Sequence, residues 1–406
     1  MKVKVVSGGV CAAKGFKANG IHCGIRKNRT KRDLSLIVSE APAAAAAVYT
    51  TNLVKGAPLL VTKKHLENGC ARAIVCNSGN ANTCNANGIE VAEATCEATA
   101  KVLGIDPDDV IVASTGVIGQ PLDVTPIENG LPALAAGLTD DGSGFAAEGI
   151  MTTDTIMKEV AVEFTLSGKT CKIGGIANGS GMIHPNLATM LVFITTDAAI
   201  SPKMLQRALS TDVRDTFNMV SIDGDTSTND MLSVMTNGMA GNKEITEKGV
   251  DYDVFYEGLL FLCQKLSKMI ARDGEGATKL LEACVTGAPD KLTARTAAKS
   301  VISSNLTKAA MFGADANWGR VLCALGYAKC DLDVNKIDIA FKSKAGSVEV
   351  CKGGAGVPFS EEEAKKVLSE DEIVIDIKLN DGDAAASAYG CDLTYEYVRI
   401  NGDYRT

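Results

Sequence analysis

Short apolar runs rich in β-branched residues recur along the chain, each giving way to Gly, Asn, Ser or Thr, the pattern of buried strands that open into loops. Leu34 to Val38, Ala73-Ile74-Val75, Val110-Ile111-Val112-Ala113 and Leu191 up to Asp197 are such runs. Alternation at Val160, Val162, Phe164 and Leu166, the Ser167-Gly168 turn and Thr170-Cys171-Lys172-Ile173 predict a hairpin. The alanine-rich region that continues to Tyr49 is broken by Ser39, Glu40 and Pro42, so it falls short of the roughly 20 apolar residues of a membrane helix and is expected as packed helix or strand. Val91, Ala94, Ala98 and Val102 predict a helix over 90–103. Ser201-Pro202 supplies an N-cap and a first-turn proline for a helix over 203–217 that carries Leu205, Leu209 and Val213 on one face. Phe255, Leu259, Leu262 and Leu266 predict another over 253–270. The last third alternates strand, Ser360-capped helix and strand over 337–341, 360–368 and 372–379, and Tyr397 to Thr406 remains patterned to its end.

The stretch from Gly174 to Ala198 reads as a glycine-rich loop, Gly174 to Gly181, then a Pro185-Asn186 turn, then a buried strand, with Thr189 at the junction. A threonine placed so suits one chemistry: its hydroxyl attacks the preceding carbonyl, the peptide is cut, and the freed α-amine serves as base for the same hydroxyl. An α-amine titrates at about 7.7–8.0, which fits that task near neutrality. The plainer reading is that Thr189 begins a strand. Ser114-Thr115-Gly116, at the end of another buried run, can aim one O–H and one N–H at a common point, as an oxyanion hole requires, and is also ordinary strand-to-helix turn chemistry. Asn77-Ser78-Gly79-Asn80-Ala81-Asn82 reads as a binding loop or, more simply, an Asn/Gly turn. The acidic, hydroxyl-rich run from Val220 to Asp230 fits no calcium-loop spacing and also matches turn chemistry.

Composition narrows the classes. A chain of 406 residues suffices for two domains or one large α/β domain, and an aromatic content of 5% leaves the core to Ala, Val, Ile and Leu. A formal charge of −8 supplies no basic footprint, so nucleic acid is excluded as an expected partner. The 13 cysteines form no Cys-x-x-Cys pair and no metal-spaced cluster, which predicts small buried thiols kept reduced in cytoplasm and no metal site. Met1 to Gly9 has no apolar core of a signal peptide. With only His22, His65 and His184, and no serine in a nucleophile-elbow context, a Ser-His-Asp triad is not supported. The glycine-rich stretch lacks the Gly-Lys-Ser/Thr ending of a phosphate loop.

Taken in order, Asn77 to Asn82, Thr115-Gly116, Thr152-Thr153-Asp154, Gly179-Ser180-Gly181-Met182, Ala188-Thr189-Met190-Leu191, Asp273 to Thr278, Phe312 to Arg320 and Asn401 to Thr406 resemble the bifunctional ornithine acetyltransferase / glutamate N-acetyltransferase family of arginine biosynthesis, essentially from end to end. The resemblance implies a layered α-β-β-α fold of the self-processing, N-terminal-threonine type, with a smaller C-terminal α/β domain. It implies cleavage between Ala188 and Thr189 into an α chain, 1–188, and a β chain, 189–406. Thr189 is then the nucleophile, Thr115 and Gly116 the oxyanion hole, and Thr152, Asn178, Thr189, Glu275, Asn401 and Thr406 the substrate contacts. The implied reaction moves acetyl from N2-acetyl-L-ornithine to L-glutamate through an acetyl-threonine, with acetyl-CoA as a further donor in some members and no cofactor. The implied assembly is a cytoplasmic heterotetramer of two α and two β chains, with no membrane partner. One departure stands out: Asn178 occupies a position where the family usually has lysine. The competing reading is an amidohydrolase or aminopeptidase on the same self-cleaving architecture, or a relative with altered acyl-donor specificity.

Overall fold

The computed structural model describes residues 3–28, 30–184 and 190–402. Its strands are, in chain order, β1 (Lys4–Val6), β2 (Phe16–Ile21), β3 (Leu34–Tyr49), β4 (Cys70–Asn77), β5 (Val110–Ser114), β6 (Lys158–Leu166), β7 (Lys169–Asn178) and β8 (Leu191–Thr196). They continue as β9 (Val220–Ser221), β10 (Met231–Thr236), β11 (Leu280–Ala288), β12 (Asp338–Ser343), β13 (Gly346–Lys352), β14 (Ala355–Gly356), β15 (Glu372–Lys378) and β16 (Ala384–Cys391). The helices are α1 (Ala57–His65), α2 (Gly88–Leu103), α3 (Thr125–Ala136), α4 (Ser143–Ile150), α5 (Pro202–Asp212), α6 (Val250–Arg272), α7 (Lys291–Ile302), α8 (Asn305–Phe312), α9 (Trp318–Gly326), α10 (Glu361–Leu368) and α11 (Tyr395–Gly402).

The strands form two sheets among the described residues. The first has nine, in the order β1-β6-β7-β8-β10-β3-β4-β5, with β2 paired to β3; the second has seven, in the order β14-β13-β12-β15-β11-β16-β9. Alternation along the strands sends successive side chains to opposite faces. In β8, Val192 and Ile194 join the core under α5 and α6, while Leu191 and Phe193 join the core that includes Ala146, Ala147 and Ile150 of α4. At the far end of the sheet, β4 and β5 pack Val75, Val110 and Val112 against α2 and α3. The alanine run lies inside β3, and its small side chains let α4 and α5 both approach that strand. Helix α6 touches β6 and β7 of the first sheet and also β9, β11 and β16 of the second, so it joins the two. The second sheet buries Leu281, Ala283, Phe341 and Ile375 beneath α7 to α10. This is the mixed α/β architecture of layered sheets and helices that the sequence led us to expect.

Local differences have identifiable causes. Gly174 to Asn178 is strand, not loop: it pairs with β6 and with β8, and a Cβ on Gly174 would stand 1.7 Å from the Gly9 carbonyl oxygen. The glycine there admits a crossing chain rather than a turn. Helix α5 stops at Asp212, before the expected Phe217, and Ser201 makes no side-chain cap, so its start rests on Pro202. Cys70, Cys84 and Cys323 are exposed, contrary to the expectation of buried thiols; the seven that are buried include Cys11, whose thiol burial pushes up to about 12. No helix of the described residues is long and apolar enough to cross a membrane.

Candidate active site

One cleft gathers Thr115, Gly116, Thr152, Thr153, Asn178 and Glu275 with Met190, Leu191 and the 227–230 loop. Its first wall is the turn after β5. Thr115 donates its N–H to the Asn77 carbonyl at 2.9 Å. Gly116 adopts a φ of +122°, and a Cβ there would lie 2.9 Å from the Asn80 nitrogen, so only glycine fits. The asparagine loop that follows β4 braces this turn. Asn77 Nδ2 donates to Ser114 Oγ at 2.7 Å and its Oδ1 accepts from Asn80 N at 3.0 Å, while Asn80 Nδ2 donates to the Gln120 carbonyl at 3.0 Å. The buried amides of this loop are spent on the Ser114 hydroxyl, the loop's own backbone and the Gln120 carbonyl, which fixes the turn beside it.

The second wall is organised by Asp154. Its Oδ2 accepts from Thr152 N and from Asn178 Nδ2, both at 2.9 Å, and its Oδ1 accepts from Gly179 N at 2.8 Å. The fully buried Lys158 ammonium lies 2.6 Å from Asp154 and 2.6 Å from Asp273, so one cation sits between two carboxylates. Asn178 also donates to the Ile150 carbonyl at 2.7 Å and to Thr152 Oγ1 at 3.3 Å. Asparagine at this position therefore ties the end of β7 to the 150–154 segment.

The third wall joins the end of α6 to α11. Asn401 Nδ2 donates to Glu275 Oε2 at 2.6 Å, and Glu275 N donates to the Ser180 carbonyl at 2.8 Å. A Cβ on Gly181 would meet the Glu275 carboxylate at 2.4 Å, so that glycine makes room for it. Asp223 accepts from Met182 N at 2.6 Å and Ile183 N at 3.0 Å, and the Tyr397 hydroxyl donates to it at 3.2 Å. Asp223 also accepts from Asp225 N at 3.2 Å, the one local turn bond, so this residue of the acidic run both shapes its own turn and ties it to the 182–183 segment and α11. His184 Nδ1 lies 3.0 Å from Ser221 Oγ; burial, then the Lys299 charge, pushes its pKa down to about 4, so it is neutral at pH 7.

Of the residues expected from sequence, Thr115, Gly116, Thr152, Asn178 and Glu275 line the cleft, and Asn401 reaches it through Glu275. Ala188, Thr189 and Thr406 lie outside the described residues. Arg272 and Lys279, cations that flank Glu275 in sequence, turn elsewhere: Arg272 donates to the Thr278 carbonyl at 2.8 Å, and Lys279 to the carbonyls of Met311 and Leu368 at 2.5 and 2.8 Å. Sequence reasoning quoted Asp154 only as part of Thr152-Thr153-Asp154 and gave it no role, and it singled out neither Asn229 nor Asp230 within the acidic run. Asn229 donates to the Ala81 and Ser114 carbonyls at 2.5 and 2.9 Å, so it fixes the chain immediately before Thr115. Its signal was an Asn within a Ser/Thr/Asp run, indistinguishable from a turn.

A sequence model described as the ArgJ family matches residues 17–406. The chain belongs to the ArgJ family. It is 51% identical to arginine biosynthesis bifunctional protein ArgJ 1 of Clostridium acetobutylicum, over 96% of this chain and 96% of that one. It is 48% identical to the ArgJ protein of Caldanaerobacter subterraneus subsp. tengcongensis, over 100% of both chains. A solved ArgJ structure from Bacillus halodurans is 47% identical, covers 52% of this chain and 97% of that chain, and has a TM-score of 0.49.

Proposed function

We propose that this ArgJ chain moves an acetyl group from N2-acetyl-L-ornithine to L-glutamate through an ester on Thr189, after cutting itself between Ala188 and Thr189 into an α chain, 1–188, and a β chain, 189–406. The observation that carries this reading is the convergence of Thr115-Gly116, Thr152-Asn178 and Glu275-Asn401 on the cleft bordered by Met190, the residue bonded to Thr189. The name shared by the relatives, arginine biosynthesis bifunctional protein, favours transfer over hydrolysis.

In the first half-reaction Thr189 Oγ attacks the acetyl carbonyl carbon, its proton passes to the α-amine of Thr189, and the carbonyl oxygen becomes an oxyanion facing Thr115 and Gly116. Collapse breaks the C–N bond, the ornithine nitrogen takes the proton, and acetyl-threonine remains. In the second half the neutral α-amine of glutamate attacks the ester carbonyl, the α-amine of Thr189 takes a proton from the attacking nitrogen and delivers it to the threonine oxygen as the C–O bond breaks, and N-acetylglutamate leaves. Glu275, oriented by Asn401, pairs with an ammonium group of the bound amino acid. Thr152, Asn178 and Thr406 complete the substrate contacts. The same ester forms from acetyl-CoA, which suits a bifunctional enzyme with two donors and needs no cofactor. A cytoplasmic assembly of two α and two β chains completes the proposal.

Incubation with acetyl-labelled N-acetylornithine tests it. Labelled N-acetylglutamate should appear only when glutamate is present. Free labelled acetate at a rate independent of glutamate contradicts transfer and favours the hydrolytic alternative.

A further inference from the structure

Lys158 opens β6 with its ammonium wholly removed from solvent, and the acetyl-transfer reading gives it no task. Its Nζ donates to Asp154 Oδ1 and to Asp273 Oδ2, each at 2.6 Å, and the three side chains are 0%, 0% and 4% exposed. Taking such charges out of water is expensive, and a well-packed apolar set of similar volume is often as stable as a buried ion pair. Stability of the fold therefore leaves the cluster unexplained. The other partners of the two carboxylates say where it acts.

Asp154 accepts from Thr152 N, Asn178 Nδ2 and Gly179 N, so it fixes the wall that carries Thr152 and Asn178. Asp273 follows α6 as its C-cap and accepts from Thr155 N at 3.1 Å and from the Thr155 hydroxyl. Two residues later Glu275 enters the cleft, its N–H held by the Ser180 carbonyl and its Oε2 by Asn401. Lys158 is thus a direct bond between the segment that sets Thr152 and Asn178 and the segment that sets Glu275. The two walls are close. Asn178 ends β7, and a Cβ on Gly181, three residues on, would meet the Glu275 carboxylate; three residues of chain reach at most about 11 Å. The bridge also crosses the proposed cut, since Asp154 and Lys158 precede it and Asp273 and Glu275 follow it.

We propose that Lys158 is a positioning residue that sets substrate specificity: by holding Asp154 and Asp273 together it fixes the span between Thr152-Asn178 and Glu275, and so selects the length of the diamino acid that carries the acetyl group. The inference rests on the acetyl-transfer reading, in which the bound amino acid touches both walls. Lys158 touches no substrate; it acts through the two carboxylates. A diamino acid one methylene shorter or longer than ornithine meets one wall and misses the other. A rigid span makes that mismatch costly, and a loosened span lets the walls adjust to it.

The test compares wild type with Lys158→Met/Asp273→Asn. This pair of changes removes the bridge and keeps the formal charge of the cluster, because one ammonium and one carboxylate leave together while Asp154 retains its N–H donors. With glutamate as acceptor, kcat and KM are measured for N2-acetyl-L-ornithine and for its homologues one methylene shorter and longer, N2-acetyl-L-2,4-diaminobutyrate and N2-acetyl-L-lysine, and thermal unfolding is recorded on the same samples. Wild type should favour the ornithine donor by about 10–200-fold in kcat/KM, the usual worth of one methylene. The double variant should lose about tenfold of that preference or more, chiefly through a raised KM for the ornithine donor. A role confined to the fold lowers the melting temperature and leaves the preference unmoved, and that result overturns the proposal while the acetyl-transfer reading stands. Should the double variant fail to fold, Asp273→Asn decides by the same ratio, since it leaves Lys158 paired with Asp154 and weakens only the link toward Glu275. A wild-type protein with no preference among the three donors also overturns the proposal. One that transfers acetyl from none of them overturns the acetyl-transfer reading, and this inference with it.

Discussion

Thr115 offers the cleanest test of a single side chain. Its backbone is fixed by the Asn77 carbonyl, and the carbonyl before it is held by Asn229, so Thr115→Val removes one O–H and little else. Loss of one oxyanion donor costs about 2.7–4 kcal/mol of transition-state stabilisation, so kcat should fall about 10²–10³-fold with the melting temperature nearly unchanged. Steady-state transfer assays and thermal unfolding check the two halves of that statement, and unchanged turnover places the donors elsewhere. At this scale the sequence was legible wherever residue type limits what a side chain or backbone can do. The glycine of Thr115-Gly116 is forced by a positive φ and a close approach; Glu275 and Asn401 were named through the family resemblance alone, and their direct pairing across 126 positions of sequence was not foreseen. The roles of Asn229, Asp154 and Asp230 were not legible, although Asp154 stands in a motif that carries the resemblance. Their roles come from partners distant in sequence, and along the chain they look like any polar turn.

Among the elements, the regular ones follow from period and propensity. The hairpin of β6 and β7 and helix α6 fall where alternation and the helical period place them. The glycine-rich stretch does not, because glycine signals a turn by propensity and here marks a crossing. The Gly9 carbonyl lies against Gly174 in the middle of paired strand, and propensity carries no information about that contact. Gly174→Ala forces a Cβ to within 1.7 Å of that oxygen unless the backbone shifts. The cost should be about 3 kcal/mol or more, at the upper end of overpacking penalties, and urea unfolding of the variant against wild type measures it. A loss under about 0.5 kcal/mol, the scale of a neutral surface change, contradicts the assigned register.

Across the whole molecule, the site is assembled from both sides of the proposed cut. Thr115, Gly116, Thr152 and Asn178 precede it; Asn229, Asp230, Glu275 and Asn401 follow it. Strands β7 and β8 flank the cut and pair over six residues, from Ile173 opposite Thr196 to Asn178 opposite Leu191, so two separated chains would still share one sheet. Helix α6 then brings Glu275 of the β-chain side against the Ser180 carbonyl. Such joining of distant segments is set by packing between layers, which single-chain patterns do not encode; it was the succession of motifs, not their periodicity, that pointed to it. The central claim is that Thr189 cuts the chain and then carries the acetyl group. Intact mass spectrometry of purified wild type and Thr189→Ala tests it most directly. The account predicts two fragments meeting at Ala188 and Thr189 for wild type, with a mass increase of one acetyl group on the Thr189 fragment after N-acetylornithine is added without glutamate, and a single unacetylated chain for Thr189→Ala. A Thr189→Ala protein that still splits at that bond, or an uncut wild type that transfers acetyl, contradicts it.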